Sequence, residues 1–558
     1  MSEFTAAHHT AVAQLTGPGA PFEVTDTLRG NYFVKTYRNA EPNLRSVMTP
    51  GRQFGDALFL EYLDQKWTFD QFFKAVDALA GHLQTVCGVQ PGDRVAIAMR
   101  NRPEWLVAFV AIVECAGVAV PLNSWGKTQE LQQGLEDSAA GVVVCDSPRF
   151  NFIRAADIDV TTLLVDAEPT DEPDYHWRTA LQAQLSATPV EAEPSDPAIL
   201  LFTSGTAGKP KGALFTHTNA CQALMNIELI GAATYMTNTD AMNRQMGSGT
   251  PAKTLLAVPL FHISGLFSQF IINLRHGRGL YLMYKWDAKE ALRLVRESGI
   301  TVLMGAPTML LDLLGREDAT PADFSIIANV SAGGADTPPL LHELYRRQIH
   351  ESLAGAGWGL TESGGTGAAF TGFYAHERPG ASGFPSPIME FRFCDEHGEP
   401  VAAGEPGEMW VRSGATISGY VSGATDSADF ENGWMATGDI GYIDDEGLLY
   451  ICGRAKDMVL RGGENIYPSE IEAILLEHPA CEEVAVIALP DATWGEIPAA
   501  VVRTGAEGAL GESEWQDWCK ERMAAYKVPS RWQFTNDPLP RNAVNKLLKQ
   551  TIREHFFS

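Results

Sequence analysis

Residues 203–212 read Thr-Ser-Gly-Thr-Ala-Gly-Lys-Pro-Lys-Gly, and they directly follow an apolar run at residues 198–202. Glycines let backbone N–H groups turn inward around an anion, hydroxyls add hydrogen-bond donors, and a lysine supplies positive charge to a polyphosphate. This composition is typical of a phosphate-binding loop and predicts a nucleotide ligand. The same composition also fits a flexible surface hairpin, so the stretch by itself leaves both interpretations open.

The stretch differs from an ordinary P-loop. That motif has four residues between its two glycines and a Lys-Ser/Thr pair directly after them, whereas here the glycines are closer together and the first lysine precedes a proline. A Walker-type NTPase is therefore disfavoured. Residues 213–215 predict a short strand, and Thr218 is predicted as the N-cap of a helix over residues 219–230. We therefore expect the loop between two strands.

Length and charge limit the classes of protein that fit. The chain has 558 residues, 45% of them hydrophobic, which exceeds what one compact core usually holds, so at least two domains are expected. The formal net charge of -27 argues against nucleic acid or an anionic membrane surface as a partner, because the long-range field repels polyanions. Any nucleotide must therefore be bound by local positive charge.

Cysteine usage and the chain ends indicate a cytoplasmic protein. The eight cysteines are scattered from Cys87 to Cys519 without a C-x-x-C pair, which favours neither a disulfide framework nor a zinc site. Residues 1–16 lack the basic and apolar segments of a secretory signal, and the final Phe-Phe-Ser is not a peroxisomal signal.

Residues 105–122 are nearly all apolar and could be mistaken for a membrane span. Glu114 lies within the stretch, where a charge costs roughly 2.5–3.5 kcal/mol on insertion scales, and Gly117 and Pro121 interrupt a helix. We therefore predict a buried helix that leads into a buried strand, and no integral membrane segment.

Strand-like runs alternate with helical patterns, which predicts an α/β fold with mainly parallel sheets in several layers. The clearest strand-like runs are residues 94–98, 142–145, 162–165, 254–258 and 301–304, and the clearest helical patterns are residues 68–86 and 288–298. Residues 235–253 are polar and predict an irregular insertion.

The pattern changes after Arg454. A helix that opens at Ser469 and strands at residues 483–489 and 499–502 predict a separate small α+β domain. We place the boundary near Lys456, which gives an N-terminal domain over residues 1–455 and a C-terminal domain over residues 456–558.

Further motifs follow the phosphate-binding stretch in a fixed order. They are residues 259–262 (PLFH), 357–362 (GWGLTE), 433–439 (GWMATGD), 453–457 (GRAKD) and 539–546 (LPRNAVNK). Together the six motifs span most of the chain, and in type, order and spacing the chain resembles the adenylate-forming superfamily, within it the acyl-CoA synthetases. That superfamily also contains luciferases and the adenylation domains of peptide synthetases.

The resemblance implies an enzyme that activates a carboxylic acid with ATP and Mg²⁺ and then transfers the acyl group to coenzyme A. Negative charge must be neutralised at three phosphates, so positioning and electrostatics would supply most of the rate. The residues implied to hold the β- and γ-phosphates are Thr203, Ser204, Gly205, Thr206, Gly208 and Lys211. Thr361 would contact phosphate and Glu362 would bind Mg²⁺, which takes one or two carboxylates besides phosphate oxygens and water. Without the resemblance, Thr361 and Glu362 would be read as an ordinary helix start.

The nucleoside would be held by residues that follow these motifs. The two acceptor oxygens of Asp439 suit the two vicinal hydroxyls of a ribose, and Arg454 would approach the same sugar. Small residues would let the adenine lie close to the backbone, and the complete implied set beside Asp439 and Arg454 is Gly333, Gly334, Ala335, Trp358 and Gly359.

The C-terminal domain would contribute the mobile cation Lys546, which reaches the carboxylate and the α-phosphate during adenylation. The family ordinarily has glycine directly before this lysine, whereas this chain has Asn545. Asparagine is among the few residues that tolerate a positive φ.

After adenylation, the resemblance implies that the C-terminal domain rotates about a hinge at Lys456. This rotation withdraws Lys546 and brings Gly462 and Gly463 to the thiol tunnel, where small residues would let pantetheine pass close to the backbone. The glycine pair also fits a plain turn.

His262 falls where the family closes one wall of the acyl pocket, which implies a steric or carboxylate-contacting role. A general base is unnecessary for an acid that is already ionised. As a single histidine among apolar residues, it also fits a core group. The residues implied to be catalytic are Lys546, Lys211, Thr361, Glu362 and His262.

The first hypothesis for function is an acyl-CoA synthetase that acts on a medium- or long-chain fatty acid and so serves fatty acid metabolism. Aryl and steroid-type acids stay open, because pocket depth cannot be read from a sequence. A free-standing adenylation enzyme that loads a carrier protein and a non-catalytic binder of acyl ligands or nucleotides also stay open. A homodimer is expected from the resemblance alone.

Overall fold

The computed structural model describes residues 2–166, 173–203, 210–247, 249, 251–334, 337–349, 352–421, 430–461, 464–505, 511–541 and 547–557. The α-helices in these ranges are α1 (Glu3–Thr16), α2 (Leu44–Met48), α3 (Phe69–Thr85), α4 (Pro103–Glu114), α5 (Thr128–Ser138), α6 (Ser147–Ala155), α7 (Trp177–Gln182), α8 (His217–Thr237), α9 (Thr239–Gly247), α10 (Ile272–Arg275), α11 (Ala288–Glu297), α12 (Pro307–Leu314), α13 (Pro339–Gln348), α14 (Pro468–Leu476), α15 (Glu512–Lys520) and α16 (Lys549–Phe557).

The strands in the same ranges are β1 (Val24–Arg29), β2 (Tyr32–Tyr37), β3 (Leu58–Tyr62), β4 (Gln65–Thr68), β5 (Arg94–Ala98), β6 (Val118–Pro121), β7 (Val142–Cys145), β8 (Thr161–Leu164), β9 (Tyr175–His176), β10 (Pro197–Thr203), β11 (Lys211–Thr216), β12 (Lys253–Leu256), β13 (Gly279–Leu282), β14 (Val302–Gly305), β15 (Asn329–Ala332), β16 (Leu353–Trp358), β17 (Ala368–Gly372), β18 (Phe384–Pro385), β19 (Glu390–Cys394), β20 (Gly407–Arg412), β21 (Phe430–Glu431), β22 (Trp434–Ile443), β23 (Leu449–Arg454), β24 (Val459–Arg461), β25 (Glu464–Ile466), β26 (Cys481–Asp491), β27 (Gly495–Thr504) and β28 (Arg531–Thr535).

Two large sheets of mainly parallel strands form the centre of the N-terminal region. The seven-stranded sheet has the order β11-β10-β6-β5-β7-β8-β9 and is parallel except for the β10–β11 pair. The nine-stranded sheet has the order β18-β17-β16-β15-β14-β12-β13-β3-β4 and is parallel from β16 to β3, with antiparallel strands at both edges. Helices such as α3, α4 and α11 bury apolar faces against these sheets.

A third sheet of the N-terminal region is antiparallel and contains β19 to β23, in the order β19-β20-β22-β21 with β23 paired to β22. After β23 the chain forms a short 3-10 turn at Ala455–Asp457 and enters another sheet, β25-β24-β27-β26 with β28 beside β27. This last sheet packs with α14 and α15 around its own apolar cluster, which includes Val459, Ile471 and Trp515.

The predicted fold class is confirmed. The chain has an α/β fold with a large N-terminal domain of mainly parallel sheets and a separate C-terminal domain. Most predicted strands and helices are observed with ends shifted by no more than two residues; for example, β5 and β7 match the predicted ranges, and α3 begins after the N-cap Thr68. Two elements are longer than predicted: α8, predicted over residues 219–230, ends at Thr237, and β27, predicted over residues 499–502, begins at Gly495. The boundary and hinge at Lys456 stay predictions.

The apolar stretch at residues 105–122 forms a buried helix, α4, followed by the buried strand β6, as predicted. The carboxylate of Glu114 at the end of α4 binds Arg45 at 2.7 Å and Arg52 at 3.1 Å, which explains how a charge fits at this position. Within the described parts of the chain, no helix is both long enough and apolar enough to cross a bilayer.

Two local predictions are wrong. The N-cap of α8 is Thr216 and not Thr218, because the Oγ1 atom of Thr216 accepts the Asn219 N–H at 3.2 Å and the Asn219 Oδ1 atom accepts the Thr216 N–H at 3.3 Å. Thr218 instead donates its hydroxyl to the Pro194 carbonyl at 2.8 Å. Thr216 and Thr218 match the capping preference equally well in sequence. Thr216 is the one with the extended backbone of a cap, because it is the last residue of β11.

The irregular insertion predicted at residues 235–253 is the second error. Helix α8 continues to Thr237, α9 follows directly, and β12 begins at Lys253. Polar residues led to the prediction of a loop, but neither glycine nor proline occurs between Tyr235 and Met246, so these residues can form helices, which meet at the C-cap Asn238.

We predict that Thr216→Ala lowers the free energy of unfolding by about 1 to 2 kcal/mol, because it removes the cap and leaves the buried Asn219 side chain with fewer partners. Thr218→Ala is the matched control and should cost about 0.5 kcal/mol or less, as expected for one exposed hydrogen bond. Urea denaturation followed by far-UV circular dichroism measures both values. Equal losses in the two variants would contradict the cap at Thr216.

Candidate functional site

The stretch that the sequence predicts to bind phosphate lies between two antiparallel strands, as expected. Thr203 ends β10 and pairs directly with Lys211, the first residue of β11. The predicted residues Ser204, Gly205, Thr206 and Gly208 lie outside the described residues. The two described ends of the stretch are thus held in register at the edge of the seven-stranded sheet.

A tight loop at residues 358–365 follows β16 and carries two predicted site residues, Thr361 and Glu362. Thr361 and Glu362 lie in a single 3-10 turn, in which the Ser363 hydroxyl accepts the Leu360 N–H at 2.9 Å. A Cβ atom on Gly359 would lie 2.2 Å from the carbonyl oxygen at position 365, so only glycine fits here. The interpretation as an ordinary helix start capped by Thr361 is wrong, because the capping hydroxyl belongs to a different residue.

One side chain, Tyr420, contacts both Glu362 and Lys211. The Tyr420 hydroxyl donates a hydrogen bond to the Glu362 Oε1 atom at 3.0 Å, and the Lys211 Nζ atom lies 4.9 Å from the centre of the Tyr420 ring. The structure therefore brings the predicted phosphate-binding lysine and the predicted magnesium ligand to the same place. Their separation in the sequence gives no hint of this arrangement.

A second polar group surrounds Asp439, whose side chain is buried. The Trp358 Nε1–H donates to the Asp439 Oδ2 atom at 2.8 Å, and the Arg454 Nε atom lies 2.6 Å from Oδ1. Asp439 and Arg454 face each other directly across the β22–β23 pair. Each carboxylate oxygen keeps a second lone pair, so the group still has acceptor capacity for hydroxyls.

The backbone at Asp439 is fixed by the preceding residues. The Thr437 hydroxyl donates to the Met409 carbonyl at 2.7 Å and accepts the Asp439 N–H at 3.0 Å. Gly438 between them has a φ of 68°, in the left-handed region that favours glycine. All three residues lie within β22, where the pairing with β20 shifts register, so the glycine permits an irregularity of the strand directly before the buried carboxylate.

Gly333 and Gly334 lie at the carboxyl end of β15, beside the carboxyl ends of β14 and β16. Both glycines are exposed, and a Cβ atom built on either meets no atom within 4 Å among the described residues. Open space at the carboxyl ends of parallel strands is the usual position of a ligand crevice in α/β proteins. Ala335 lies outside the described residues.

His262 lies beside the loop at residues 358–365, because its neighbour Ile263 packs where a side chain on Gly365 would be, 3.2 Å from the Cβ position. Its ring contacts Phe261 at 4.2 Å between centroids, and its buried Nε2 atom has no hydrogen-bond partner among the described residues. Burial lowers the pKa of His262 to about 4, so the imidazole is neutral at pH 7.

The remaining predicted residues belong to the C-terminal region. Lys456 is exposed in the turn at Ala455–Asp457. Gly462, Gly463 and Lys546 lie outside the described residues.

Tyr420 is the site residue that the sequence analysis missed. It is the last residue but one of the segment at residues 413–421, which follows β20 and pairs with β11 through the bridge between Ala213 and Tyr420. A glycine-tyrosine pair is common in many loops, and no sequence spacing connects it to residue 362. Tyr420 can be identified as a neighbour of Glu362 and Lys211 only when the pairing of its segment with β11 is known.

Two family models match the chain. The model of the AMP-binding enzyme matches residues 49–421, and the model of the AMP-binding enzyme C-terminal domain matches residues 470–546. The first match contains the stretch at residues 203–212, the loop at residues 358–365 and Tyr420. The second ends at Lys546.

Curated relatives match over nearly their whole length. The 2-succinylbenzoate–CoA ligase of Bacillus velezensis is 32% identical over 521 residues, which cover 91% of this chain and 96% of the relative. The feruloyl-CoA synthase of an Amycolatopsis species is 31% identical over 495 residues, which cover 88% of this chain and 94% of the relative.

A solved structure with a similar fold is o-succinylbenzoate coenzyme A synthetase from Bacillus subtilis in complex with ATP and a magnesium ion. It aligns with a TM-score of 0.74 at 30% identity, covering 92% of this chain and 99% of that protein.

We predict that His262 contributes to the loss of stability in acid. Its folded-state pKa of about 4 lies below the unfolded value of 6.5, so stability is full above about pH 6.5 and falls as the pH approaches 4. His262→Gln should therefore reduce the loss of unfolding free energy between pH 7.5 and pH 5.5 by about 1 kcal/mol, measured by urea denaturation.

The same substitution at His397, whose side chain is 77% exposed, is the matched control. It should leave the difference between the two pH values close to that of the unmodified chain. An unchanged pH dependence in His262→Gln would contradict the burial of this imidazole.

Proposed function

This chain belongs to the AMP-binding enzyme family, and we propose that it uses ATP to join an aromatic carboxylic acid to coenzyme A. It is an AMP-forming acid–thiol ligase, because both family models match and the curated relatives named above are a CoA ligase and a CoA synthase over 88% to 91% of this chain. ATP with Mg²⁺ and coenzyme A are therefore its co-substrates.

The observation that carries the role of the site is the meeting of Lys211 and Glu362 at Tyr420. A triphosphate accompanied by Mg²⁺ needs a cation for its oxygens and a carboxylate for the metal at one place, and these two side chains supply both. The donor set therefore fits this ligand. When bound, Mg²⁺ neutralises charge on the phosphates and orients them for displacement.

In the first half-reaction, the carboxylate of the acid attacks the α-phosphorus of ATP and pyrophosphate leaves, which yields the acyl-adenylate. We assign Lys211, Thr361 and the loop containing Thr203 to the phosphates and Glu362 to Mg²⁺. Their contribution is electrostatic and positional, because the attacking acid is already ionised at pH 7.

The nucleoside would be bound by the second polar group. The remaining acceptor capacity of Asp439 suits the ribose hydroxyls, and Arg454 holds this carboxylate in place from across the strand pair. Gly333 and Gly334 border open space at the strand ends, which supports their assignment to the adenine. Trp358 is buried and donates to Asp439, which favours a role in orienting that carboxylate.

The second half-reaction transfers the acyl group to the sulfur of coenzyme A and releases AMP. We propose that Lys546 serves only the first half-reaction and that rotation near Lys456 then brings Gly462 and Gly463 to the thiol. These assignments rest on the motif positions in the sequence, and the position of Lys546 at the end of the C-terminal family match supports them.

An aromatic acid fits the comparisons better than the fatty acid that the sequence analysis favoured. Succinylbenzoate and ferulate, the acids in the names of the two curated relatives, each contain a benzene ring. We assign His262 to the wall of the acid pocket, where its neutral imidazole offers a flat, uncharged surface to such a ring. A role in fatty acid metabolism has no support among these relatives.

A carrier protein as acceptor, a homodimer and a cytoplasmic location stay predictions. A non-catalytic binder is disfavoured because Lys211, Glu362, Asp439 and Arg454 are all present and form connected groups.

The acid is tested by ATP-dependent AMP release over a panel of 2-succinylbenzoate, ferulate, benzoate, decanoate and palmitate, each with and without coenzyme A, with mass detection of products. We expect coenzyme A-dependent AMP release and an acyl-CoA mass, with kcat/KM for the best aromatic acid at least about tenfold above that for either fatty acid. A preference for palmitate would overturn the aromatic assignment. Bound acyl-adenylate without thioester would point to a carrier protein, and ATP binding without either product to a non-catalytic binder.

We predict that Lys546→Ala lowers acyl-adenylate formation by at least about 10²-fold, because one cation near the developing charge is lost. Thioester formation from supplied acyl-adenylate and coenzyme A should stay within about twofold. Lys549→Ala is the matched control. Lys549 follows Lys546 by three residues, and its Nζ atom forms an ion pair with the Glu472 Oε1 atom at 2.7 Å. Loss of both half-reactions in Lys546→Ala would contradict the division of roles.

A further inference from the structure

Tyr420 connects the two charged side chains that the proposed function assigns to the triphosphate and its metal. Its hydroxyl donates to the Glu362 Oε1 atom at 3.0 Å, and its ring lies beneath the Lys211 ammonium at 4.9 Å. We propose that Tyr420 is a positioning residue that sets the orientation of both groups for magnesium-bound ATP. This inference rests on the proposed function and adds a residue that the motifs do not contain.

The backbone around Tyr420 is tied to both partners. Tyr420 forms an antiparallel bridge with Ala213, and the Val421 N–H donates to the Gly212 carbonyl at 2.9 Å, which fixes the residue against β11. On the other side, the Ile417 N–H donates to the Glu362 carbonyl at 3.0 Å. A shift of the segment at residues 413–421 would therefore move the Glu362 turn and the Lys211 strand together.

The far end of the same segment is anchored in the core. The Asn219 side chain, which is buried, donates to the carbonyls of Gly414 at 2.9 Å and Thr416 at 3.0 Å. The Arg29 guanidinium donates to the Thr416 carbonyl at 2.8 Å. Buried hydrogen bonds of this kind hold a segment in one conformation, so Tyr420 extends from a rigid support.

The Tyr420 hydroxyl affects the orientation of the Glu362 side chain, which we assign to the metal. A glutamate on a surface turn samples several rotamers, and a hydrogen bond to one oxygen selects the rotamer and leaves the other oxygen for a cation. Hydrogen bonds from residues behind a metal ligand fix its orientation, and their removal typically costs about 10- to 100-fold in metal affinity. We therefore expect the hydroxyl of Tyr420 to determine the Mg²⁺ concentration that is needed for tight binding of ATP.

The aromatic ring of Tyr420 affects the position of the Lys211 side chain. An ammonium over an aromatic face is attracted by the ring quadrupole, and at a partly exposed site the effect corresponds to about a two- to fivefold change in an equilibrium. This contact holds the Lys211 ammonium on the side chain that also contacts Glu362, and it does not depend on the metal. The hydroxyl and the ring thus have separable effects.

Two variants of the full chain separate these effects. Binding of ATP is measured by calorimetry at increasing Mg²⁺ and in EDTA. Tyr420→Phe should raise the Mg²⁺ concentration for half-maximal enhancement of ATP binding about tenfold and leave metal-free ATP affinity within about twofold. Tyr420→Leu should show the same shift and also weaken metal-free ATP binding by about two- to fivefold.

Thioester formation from supplied acyl-adenylate and coenzyme A checks the fold of each variant, because it uses neither triphosphate nor metal. It should stay within about twofold in both. Tyr235→Phe removes a hydroxyl from an exposed tyrosine at the end of α8 and is the matched control, with no expected change in any of these measurements.

A magnesium dependence in Tyr420→Phe equal to that of the unmodified chain would overturn the inference while leaving the proposed function intact. Parallel loss of ATP binding and thioester formation would also overturn it, since that result indicates a structural role. If the unmodified chain itself bound no magnesium-ATP, the proposed function would fall and the inference with it.

Discussion

The buried carboxylate of Asp439 is the constraint around which the site is arranged. Removing a carboxylate from water is costly unless both of its oxygens find donors, and here Trp358 and Arg454 supply them from different elements. Trp358 ends β16 of the nine-stranded sheet, whereas Asp439 and Arg454 lie on adjacent strands of the antiparallel sheet. One buried charge therefore links the two sheets, at the strand that directly precedes the C-terminal domain.

The loop at residues 358–365 connects Asp439 to the groups that we assign to the phosphates and the metal. It begins at Trp358 and returns within a few residues, so closely that a side chain at Gly359 would collide with the opposite carbonyl. Glu362 in its turn contacts Tyr420, whose segment is paired with the strand that carries Lys211. The groups assigned to ribose, metal and triphosphate thus occupy one continuous, hydrogen-bonded frame. Such preorganisation suits a reaction in which the protein mainly places and neutralises charge.

Much of the fold could be predicted from local patterns because the large sheets are built from short apolar strands and regularly spaced helices. The strands β5 and β7 and the buried helix α4 followed the predicted ranges closely, since burial on both faces leaves continuous apolar runs. The start of α8 could not be predicted, because two threonines offer the same cap in sequence. The segment after α8 was misjudged because its polar composition describes an exposed helix as well as a loop.

The sequence by itself determined the α/β class, the family and the motif residues Lys211, Glu362, Asp439 and Arg454, because each of these depends on residue type and order along the chain. Only the tertiary structure decided that Asp439 is shared by Trp358 and Arg454, and that Tyr420 joins Lys211 to Glu362. These contacts link residues far apart in the chain; Glu362 and Tyr420, for example, are 58 positions apart. The physical reason is that strand pairing and the burial of charge act between neighbours in space, and neither leaves a local periodicity in the sequence.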